Sequence, residues 1–428
     1  MCERLLTVVF PLAKNLTERE TVLGKLTKQE RSWVLYDVGN SAFVMLSTAL
    51  IPVYFASLAE PGSSVVVAWG YAETAAALIL ALLMPVLGSL ADLKGNKKKF
   101  FVGFMGTGAV ACAALGIPAE ALPFLVVYVV SSIMLNGSMV FYDAFLVDAA
   151  AEDRYDEVSS QGYAWGYVGS CIPFIACLAV VLGGPSVGID AATGMKAAFL
   201  ITAAWWVAFS VPLIRDVHQT HYKERKRHLL RETFCGLWAT MKGIARDRRL
   251  RLFMLAYFFY IDGVHTIIRM STSYGTDLGI DSTQLVLALL LTQFVAFPSA
   301  IAYGRLATRF GARRMLMTAV FAYFCITLFA AFFLREALQF WILAVCVGLF
   351  QGGIQALSRS EFGKLVPKDR ANEHFGFFDV FGKYAAVMGT LLVSVFTQLT
   401  GNASVGVLSI SALFVVGFVL LARMPKEE

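Results

Sequence analysis

Two short stretches, half a chain apart, decide the fold: Gly88-Ser-Leu-Ala-Asp92-Leu-Lys-Gly95-Asn-Lys97-Lys98 and Gly304-Arg-Leu-Ala-Thr308-Arg-Phe-Gly311-Ala-Arg313-Arg314. Gly, Leu, Ala, Gly and two cations coincide at a constant offset of 216 residues in a chain of 428. Two unrelated basic turns would share cations, but they would not share the glycine spacing. The repeat therefore indicates that the chain consists of two similar halves.

Each copy of this loop lies between long apolar segments. A bilayer core about 30 Å thick needs roughly 20 apolar residues per helix, and the sequence contains twelve such stretches. The predicted fold class is all-α integral membrane, with twelve transmembrane helices arranged as two six-helix bundles. We expect spans 1 to 6 at Trp33–Leu58, Val65–Ala91, Lys99–Pro118, Leu122–Ala150, Gln161–Gly183 and Met195–Ile214, and spans 7 to 12 at Leu250–Gly275, Thr283–Tyr303, Met315–Leu334, Leu338–Val366, Phe375–Leu399 and Ser404–Ala422.

The polar segments outside these stretches set the domain boundaries. We expect a cytoplasmic N-terminal arm at 1–32, bundles at 33–214 and 250–422, a basic cytoplasmic linker at 215–249 and a cytoplasmic tail at 423–428. The run Leu5–Ala13 resembles the core of a signal peptide, but no small-residue cleavage site follows it, so we interpret it as part of the arm. The linker, counted through Arg251, holds eleven cations against four acids, which suits a basic amphipathic segment on anionic headgroups.

The composition fits a protein immersed in lipid. Hydrophobic residues make up 58% of the chain and charged residues 15%, against about 45–50% and about 25% in soluble proteins. The seven cysteines are scattered without a C-x-x-C pair, so packing is their expected role, and the sequence predicts neither a metal nor a cofactor. Because the basic residues sit in short loops, we expect no nucleic-acid binding.

Lys and Arg are distributed unequally between alternate loops. One side collects the N-terminal arm, the 94–99 turn, the linker, the loops Arg305–Arg314 and Lys364–Arg370 and the C-terminus, while the opposite loops contain only Lys196 and Arg335. Positive loops face the cytoplasm. We therefore expect a multi-pass protein of the cell (inner) membrane with both termini cytoplasmic, which also requires an even number of spans.

The repeated loop resembles the motif G-x-L-a-D-x-x-G-x-[KR]-[KR] of the major facilitator superfamily, with the Asp present only in the first copy. Longer strings resemble one branch of it, the unknown major facilitator family, which is grouped with the autophagy-linked vacuolar effluxers of yeast. The resemblance implies an alternating-access carrier whose central cavity is lined by spans 1, 4, 7 and 10, and the yeast relatives are associated with amino-acid efflux. The strings are Trp33-Val-Leu-Tyr36-Asp37-Val-Gly-Asn40-Ser41-Ala42-Phe43, Phe141-Tyr-Asp143-Ala-Phe-Leu, Asp262-Gly-Val-His-Thr-Ile-Ile-Arg269-Met, Gln351-Gly-Gly-Ile-Gln355-Ala-Leu-Ser-Arg359-Ser and Gly376-Phe-Phe-Asp379-Val-Phe-Gly-Lys383.

We single out ten of the ionisable side chains inside the predicted spans. An ionised group there costs about 2.5–3.5 kcal/mol on insertion scales, so each one is expected to face an internal cavity. Seven of the ten are on spans 1, 4, 7 and 10, a rhythm that lipid-facing helices would not show and that predicts a pathway between the halves. Those seven are Asp37, Asp143, Asp148, Asp262, His265, Arg269 and Arg359, and the other three are Glu73, Asp379 and Lys383.

Span 7 places Asp262, His265 and Arg269 on one helical face, because they are spaced i, i+3, i+7. A carboxylate one turn from an imidazole can share and pass a proton. One hypothesis is therefore a proton-coupling pair. The other is a buried hydrogen-bonded cluster that holds span 7 against its neighbour.

Polar stripes also mark spans 10 and 4. Span 10 carries Gln351, Gln355 and Arg359 on one face, and span 4 carries Asn136 and Asp143. Asp143 and Arg359 are separated by the same 216 residues as the two loops. They therefore occupy equivalent positions with opposite charge, which suggests either a salt bridge across the interface or separate pairing within each half.

The remaining predicted residues concern gating. Asp37, with Asn40 beside it, is close to the end of span 1, which favours capping or gating over solute contact. Asp379 and Lys383, one turn apart, can neutralise each other within span 11, so stability is the leading interpretation. In the loops, glycines permit tight turns, Asp92 can cap the following helix or meet a cation, and Thr308 in the second copy can cap but cannot form an ion pair. The predicted gating residues are Gly88, Asp92, Gly95, Lys97, Gly304, Arg305, Gly311, Arg313, Asp379 and Lys383.

Together these patterns predict a secondary active transporter that moves a small polar solute, amino-acid-like and proton-coupled, by alternating access. We expect a monomer whose partners are that solute, the lipid bilayer and protons. The chain contains no Walker A, H-E-x-x-H or G-x-S-x-G motif, so we do not expect an enzyme. Two alternatives stay open: a non-transporting carrier-like sensor or scaffold, and an exporter of an amphiphilic compound or lipid.

Overall fold

The computed structural model describes residues 26–59, 65–224, 229–277 and 279–425, and these ranges are almost entirely helical. Most of the predicted arm and the last three residues of the tail lie outside them. Spans 1 to 6 are Lys28–Ala49 with Ile51–Leu58, Val65–Ala91, Lys97–Ala114, Ala121–Ala144 with Leu146–Ala149, Tyr155–Gly183 and Ala191–Asp216. Spans 7 to 12 are Arg248–Asp277, Ser282–Phe310, Ala312–Phe333, Ala337–Leu365, Ala371–Thr400 and Ala403–Ser409 with Ser411–Ala422.

Within the described part of the chain, nine helices are long and apolar enough to cross a membrane, and the bent pair of span 1 makes ten. The other two are span 3, which begins with three lysines, and span 11, whose apolar part is Met388–Thr400. Span 3 has 18 residues, about 27 Å at 1.5 Å per residue, so it also reaches across the core. The predicted twelve-helix, two-bundle class is therefore confirmed.

Several helix ends are shifted by a few residues from the prediction, and three features differ from it for identifiable reasons. Span 1 is not one straight helix, because it bends by 43° at Leu50 just before Pro52, whose missing N–H interrupts the helical hydrogen bonds. Span 5 begins at Tyr155 rather than Gln161, since two acidic residues in its first turn favour a helix N-terminus. The linker contains an 18-residue helix, Leu229–Arg246, which we call the linker helix.

The packing of the helices repeats with a shift of six spans. Span 1 packs on spans 5 and 6 just as span 7 packs on spans 11 and 12, and span 4 packs on spans 2 and 3 just as span 10 packs on spans 8 and 9. Between the halves, span 5 packs on span 8 and span 2 packs on span 11. A shift of six spans converts each of these two contacts into the other, so the architecture has the same repeat as the sequence.

The basic loops of both halves meet at one end of the molecule, which we call the basic end. Gly95 (φ 75°) and Gly311 (φ 86°) hold the left-handed backbone that both repeat loops need. The cations that follow cap the C-termini of neighbouring helices. Lys98 Nζ donates to the carbonyl of Ile214 in span 6 (2.7 Å), and Arg313 donates to those of Leu421 and Ala422 in span 12 (3.0 and 2.8 Å).

The two halves close on each other at the basic end. From residue 351 to residue 363 of span 10, every residue except Gln355 is buried, and from residue 155 to residue 162 of span 5 only Glu157 is not. Toward the opposite end both helices bury only part of their circumference. The interface is therefore sealed at the basic end and opens toward the other.

The sealed contact depends on two glycines at equivalent places in the repeat. A Cβ on Gly88 of span 2 would lie 2.5 Å from the carbonyl oxygen of Asn372 in span 11, and one on Gly304 of span 8 would lie 2.7 Å from Cβ of Ser160 in span 5. We therefore expect Gly88→Val to push the halves apart at the basic end, because overpacking of this kind costs about 1–3 kcal/mol.

The measurement is the distance between spin labels at two exposed positions, Lys99 and Asp369, in a chain without its native cysteines, which we call the basic-end distance. Gly103→Val is the matched control, since a Cβ at Gly103 meets nothing within 4 Å. Equal distance distributions for the two variants would contradict the close approach.

Candidate functional site

A buried guanidinium joins the halves near the basic end. Arg359 of span 10 is 2% exposed, and its Nη1 and Nη2 lie 3.0 Å from Asp143 Oδ1 and 3.2 Å from Asp37 Oδ2. It also donates from Nε to the hydroxyl of Ser159 (2.9 Å) and from Nη2 to the carbonyl of Ser159 (3.0 Å). Both carboxylates and Ser159 belong to the first half, so this cluster, which we call the arginine cage, spans the interface.

Aromatic rings close the arginine cage. The guanidinium carbon lies 4.6 Å from the ring centre of Trp33 and 4.4 Å from that of Tyr163, distances at which the ring faces attract a cation. The hydroxyl of Tyr142 donates to Asp37 Oδ2 (2.7 Å), and Asn40 Nδ2 lies 3.3 Å from Asp37 Oδ1. Asp37 is therefore held on every side.

Asp143 is the less enclosed partner in the arginine cage, with 20% of its side chain exposed. The structure thus brings together Asp37, Asn40, Asp143 and Arg359, and it places the Asp143–Arg359 contact between the halves rather than within either. Sequence reasoning missed Ser159. The only available signal was its position four residues before Tyr163 on span 5.

A second contact across the halves involves Asp92. Its carboxylate accepts hydrogen bonds from the backbone N–H of Asn372 (2.9 Å), the side-chain amide of Asn372 (2.7 Å) and the backbone N–H of Glu373 (3.1 Å). These groups open span 11, so Asp92 caps a helix of the other half rather than the helix that follows it. Lys223 of the linker lies 3.8 Å from Asp92 and 2.6 Å from Glu373, so it joins both halves.

The equivalent contact in the other direction uses different chemistry. Thr308, at the position of Asp92, is exposed, and its hydroxyl donates to the carbonyl of Arg305 in its own helix. Across the interface, Asp156 of span 5 accepts from the hydroxyl of Ser360 (2.6 Å) and from Lys364 Nζ (2.6 Å), both in span 10. The two sides of the basic end are therefore closed by unlike locks.

Three cations predicted to act in gating lie elsewhere. Lys97 is fully buried within the first half, where it binds Asp148 (2.6 Å) and the carbonyl of Ala144 (3.1 Å). Arg313 caps span 12 in its own half, as described above, and Arg305 is exposed on the surface. Their described contacts support each bundle separately, because Lys and Arg near a helix C-terminus interact favourably with its free carbonyls.

On span 7 the three predicted charges have different surroundings. Asp262 is fully buried, and its Oδ1 accepts from the N–H of Gly389 in span 11 (2.9 Å) and from Thr266 (3.3 Å). Its Oδ2 has no hydrogen-bond partner among the described residues. A buried carboxylate oxygen without a partner is costly in the ionised form. His265, one turn away, is half-buried.

Arg269 lies near a residue of the first half. It is exposed although it lies within span 7, and it is close enough to the hydroxyl of Tyr128 in span 4 to act on it electrostatically. The hydroxyl of Tyr128 in turn donates a hydrogen bond to Glu73 of span 2, and its ring packs at a tilt against that of Trp69 (4.4 Å between ring centres). A cation of the second half and a carboxylate of the first therefore meet one tyrosine, beyond the arginine cage toward the open end.

The remaining predicted residues have local or neighbouring contacts. Gln355 accepts from the hydroxyl of Tyr167 across the interface (3.3 Å), and Gln351 lines a small cavity between spans 7, 8 and 10. Asn136 donates to the carbonyl of Ser132 in its own helix (2.7 Å). Asp379 is within electrostatic range of Asp143, and the side chain of Lys383 lies outside the described residues, so the predicted pairing of these two is untested.

With this geometry in place, comparison with known proteins decides the family. A family model described as "Vacuole effluxer Atg22 like" matches residues 147–428, well over half of the chain. The chain belongs to this Atg22-like family. An uncharacterized MFS-type transporter of Bacillus subtilis (strain 168), YxiO, is 48% identical over 415 residues, which cover 95% of this chain and 97% of YxiO.

More distant relatives agree. Autophagy-related protein 22 of Kluyveromyces lactis is 23% identical over 340 residues, covering 72% of this Atg22-like chain and 68% of its own length. The major facilitator superfamily transporter FucP in its outward conformation superposes with a TM-score of 0.70 at 13% identity, covering 92% and 98% of the two chains. That likeness establishes the fold alone. This Atg22-like chain is thus a multi-pass membrane protein of an MFS-type transporter family, and both YxiO and FucP are described as transporters.

The arginine cage predicts an unusual response to charge reversal. Because Arg359 pairs with two carboxylates, exchanging only Asp143 and Arg359 (Asp143→Arg with Arg359→Asp) leaves Asp37 beside a new acid. We expect both this double variant and Arg359→Ala to have a longer basic-end distance than the parent protein. In each of them a buried ion pair loses one partner, which costs about 3–5 kcal/mol.

Asp143→Asn provides the contrast, because Asp37 then still neutralises Arg359, and its basic-end distance should stay close to that of the parent. A double variant that closes as well as the parent would mean that Asp37 is not an essential part of the cage.

Asp92 makes the closed basic end sensitive to pH. Burial raises the pKa of Asp92 to about 7, against the opposing effects of Lys223, Lys97 and the Asn372 hydrogen bonds. When the end opens, the carboxyl regains water and its pKa returns toward 3.8. The closed form therefore binds more protons between these two values, so closure is favoured at lower pH and weakens as the pH rises through 7.

We expect the closed fraction, taken from the basic-end distance, to fall as the pH rises from about 5 to 7 and to level off above 7. Asp92→Asn should flatten this dependence because it removes the titrating group. A parent protein whose closed fraction is constant over this range would contradict the assignment.

Proposed function

We propose that this Atg22-like protein is a secondary active transporter that moves a small, amino-acid-like solute by alternating access and couples this movement to protons. We further propose that the basic end faces the cytoplasm of the cell (inner) membrane, since loops rich in Lys and Arg remain on that side. The sealed basic end then corresponds to a state that opens away from the cytoplasm. A monomer is sufficient, because both halves of the pathway are in one chain.

The observation that carries this proposal is the placement of charge beyond the arginine cage. Arg269 of the second half is exposed within a span and lies near Tyr128, which holds Glu73 of the first half. An exposed guanidinium at that depth is tolerated in a water-filled cavity but is costly in lipid. Opposite charges on the two sides of one cavity suit a zwitterion, with its carboxylate toward Arg269 and its ammonium toward Glu73.

Asp262 is our candidate for proton coupling. It is buried, one oxygen has no partner among the described residues, and the other binds Gly389 and Thr266 of the second half. A proton on Oδ2 removes the cost of the buried charge. Because Asp262 joins span 7 to span 11, gain or loss of this proton changes the packing of the helix that Asp92 caps.

An amphiphilic solute is the second candidate, favoured by an apolar cavity of about 300 Å³ inside the second half. It lies between spans 7, 9, 10, 11 and 12, apart from the arginine cage, and a few hydroxyl groups interrupt its apolar wall. A molecule with a small polar group and an apolar body fits this lining. The lining includes Thr266, Met270, Ile326, Phe340, Val393 and Val407.

Flux into liposomes tests the proposal. We expect purified protein to carry at least one labelled amino acid, faster with a proton gradient than without one, while Asp262→Asn keeps downhill exchange and loses the response to the gradient. Arg269→Gln should raise the KM, because the solute carboxylate loses its partner. Glu120→Gln, which changes an exposed acid at the opposite end, is the matched control.

Three outcomes would change this assignment. Flux of amphiphiles but not of amino acids favours the second candidate. Flux that ignores the proton gradient in the parent removes the coupling and leaves the carrier. An absence of flux for every solute in the panel favours a sensor or scaffold.

A further inference from the structure

The linker helix lies against the bundle at the basic end, where it packs on spans 2 and 7. Leu237 and Thr240 are buried and Ile244 is half-buried, so the stripe i, i+3, i+7 faces the protein. The helix therefore has a fixed orientation, and its other faces are directed away from the bundle.

The neighbouring stripe is apolar and uncovered. Trp238 is 59% exposed and Met241 is 46% exposed, and Ala245 continues the same row. Large apolar side chains are rarely left uncovered in a row on a surface in contact with water, whereas Trp is enriched at the boundary between headgroups and acyl chains. Since this helix is part of a protein held in a bilayer, the boundary lies within its reach.

Cations surround this stripe. Lys242 lies over the ring of Trp238 (5.4 Å), and Arg246, Arg248 and Arg251 are exposed along the continuation of the chain. The one acid among residues 237–251, Asp247, accepts hydrogen bonds from the backbone N–H groups of Arg249 and Leu250. The apolar row suits the acyl chains of a lipid surface, and the bordering cations suit its anionic headgroups.

The linker helix also contacts the cluster of Asp92, Lys223 and Glu373 that joins the halves at the basic end. Thr240 lies against the carboxylate of Glu373, which binds Lys223 at 2.6 Å. The backbone of Lys223 pairs with the repeat loop, donating to the carbonyl of Asp92 (2.8 Å) and accepting from Lys94 N–H (3.2 Å). The linker helix therefore contacts the Lys223 segment, which joins both halves. A ligand that fixes the outer face of this helix would also stabilise that segment.

We propose that the linker helix is a binding surface for anionic phospholipid headgroups, and that lipid bound to Trp238, Lys242 and Arg246 stabilises the closed basic end. This inference does not depend on which solute is carried, so its test does not use flux. The occupant is the lipid surface itself, because the apolar row needs an acyl region and the cations need phosphate.

Quenching tests the binding directly. In nanodiscs of full-length protein, phosphatidylglycerol with brominated acyl chains quenches indoles that touch it, and subtracting the signal of Trp238→Phe isolates Trp238 from the other six tryptophans. We expect stronger quenching of Trp238 by brominated phosphatidylglycerol than by brominated phosphatidylcholine at the same mole fraction. Each cation at such a surface contributes roughly fivefold, so Lys242→Gln with Arg246→Gln should reduce the preference about 25-fold.

The matched control is Lys196→Gln with Arg335→Gln, which removes two exposed cations at the opposite end and should leave the preference unchanged. Equal quenching by both lipids overturns the charge recognition. No quenching of Trp238 by either lipid overturns the lipid surface and leaves a protein partner as the occupant.

The basic-end distance tests the second part. We expect a larger closed fraction in phosphatidylglycerol nanodiscs than in phosphatidylcholine nanodiscs, and we expect this difference to disappear in the double variant at Lys242 and Arg246. The control at Lys196 and Arg335 should respond like the parent. An unchanged closed fraction, or a double variant that responds like the parent, overturns the link between the lipid surface and the lock.

Discussion

Arg359 cannot be buried at low cost without counter-charges, because desolvation of a guanidinium costs several kcal/mol unless ion pairs and hydrogen bonds offset it. Every group that offsets it belongs to the other half: the carboxylates of Asp37 and Asp143 and both oxygens of Ser159. Separation of the halves here requires water to replace these partners at the same time. The sealed basic end depends on these contacts, and in the proposed alternating-access cycle this end can open only when they are lost.

The two other contacts that close the basic end, made by Asp92 and Asp156, differ in kind. Asp92 joins a carboxylate to two backbone N–H groups of span 11, an arrangement that depends on the direction of a helix. Asp156 joins a carboxylate to the side chains of Ser360 and Lys364, an arrangement that depends on rotamers. Two halves related by duplication have thus reached the same closure by different chemistry. Thr308, at the position equivalent to Asp92, has no carboxylate with which to form the matching cap on span 5.

Much of this could be predicted from the sequence, and the reasons are physical. Apolar length and the 216-residue repeat define helices and halves because lipid leaves few alternatives for a backbone. The same offset suggested the Asp143–Arg359 contact, with pairing inside each half as the alternative. Ser159 could not be predicted as a partner of Arg359, because a serine in the sequence gives no sign of whether its oxygens face Arg359 or its own helix. The pairing of Asp262 with Gly389 involves a backbone N–H, which no side-chain pattern encodes.

The caps of Lys98 and Arg313 on the carbonyls of spans 6 and 12 have a consequence for topology. Loop cations are usually regarded as a signal that is read once, during insertion, and could afterwards be lost. In this chain the same cations remain bound to helix ends in the finished fold. In the proposed orientation the same side chains therefore serve both topology and stability, so moving these charges to the opposite loops would also remove the caps of spans 6 and 12.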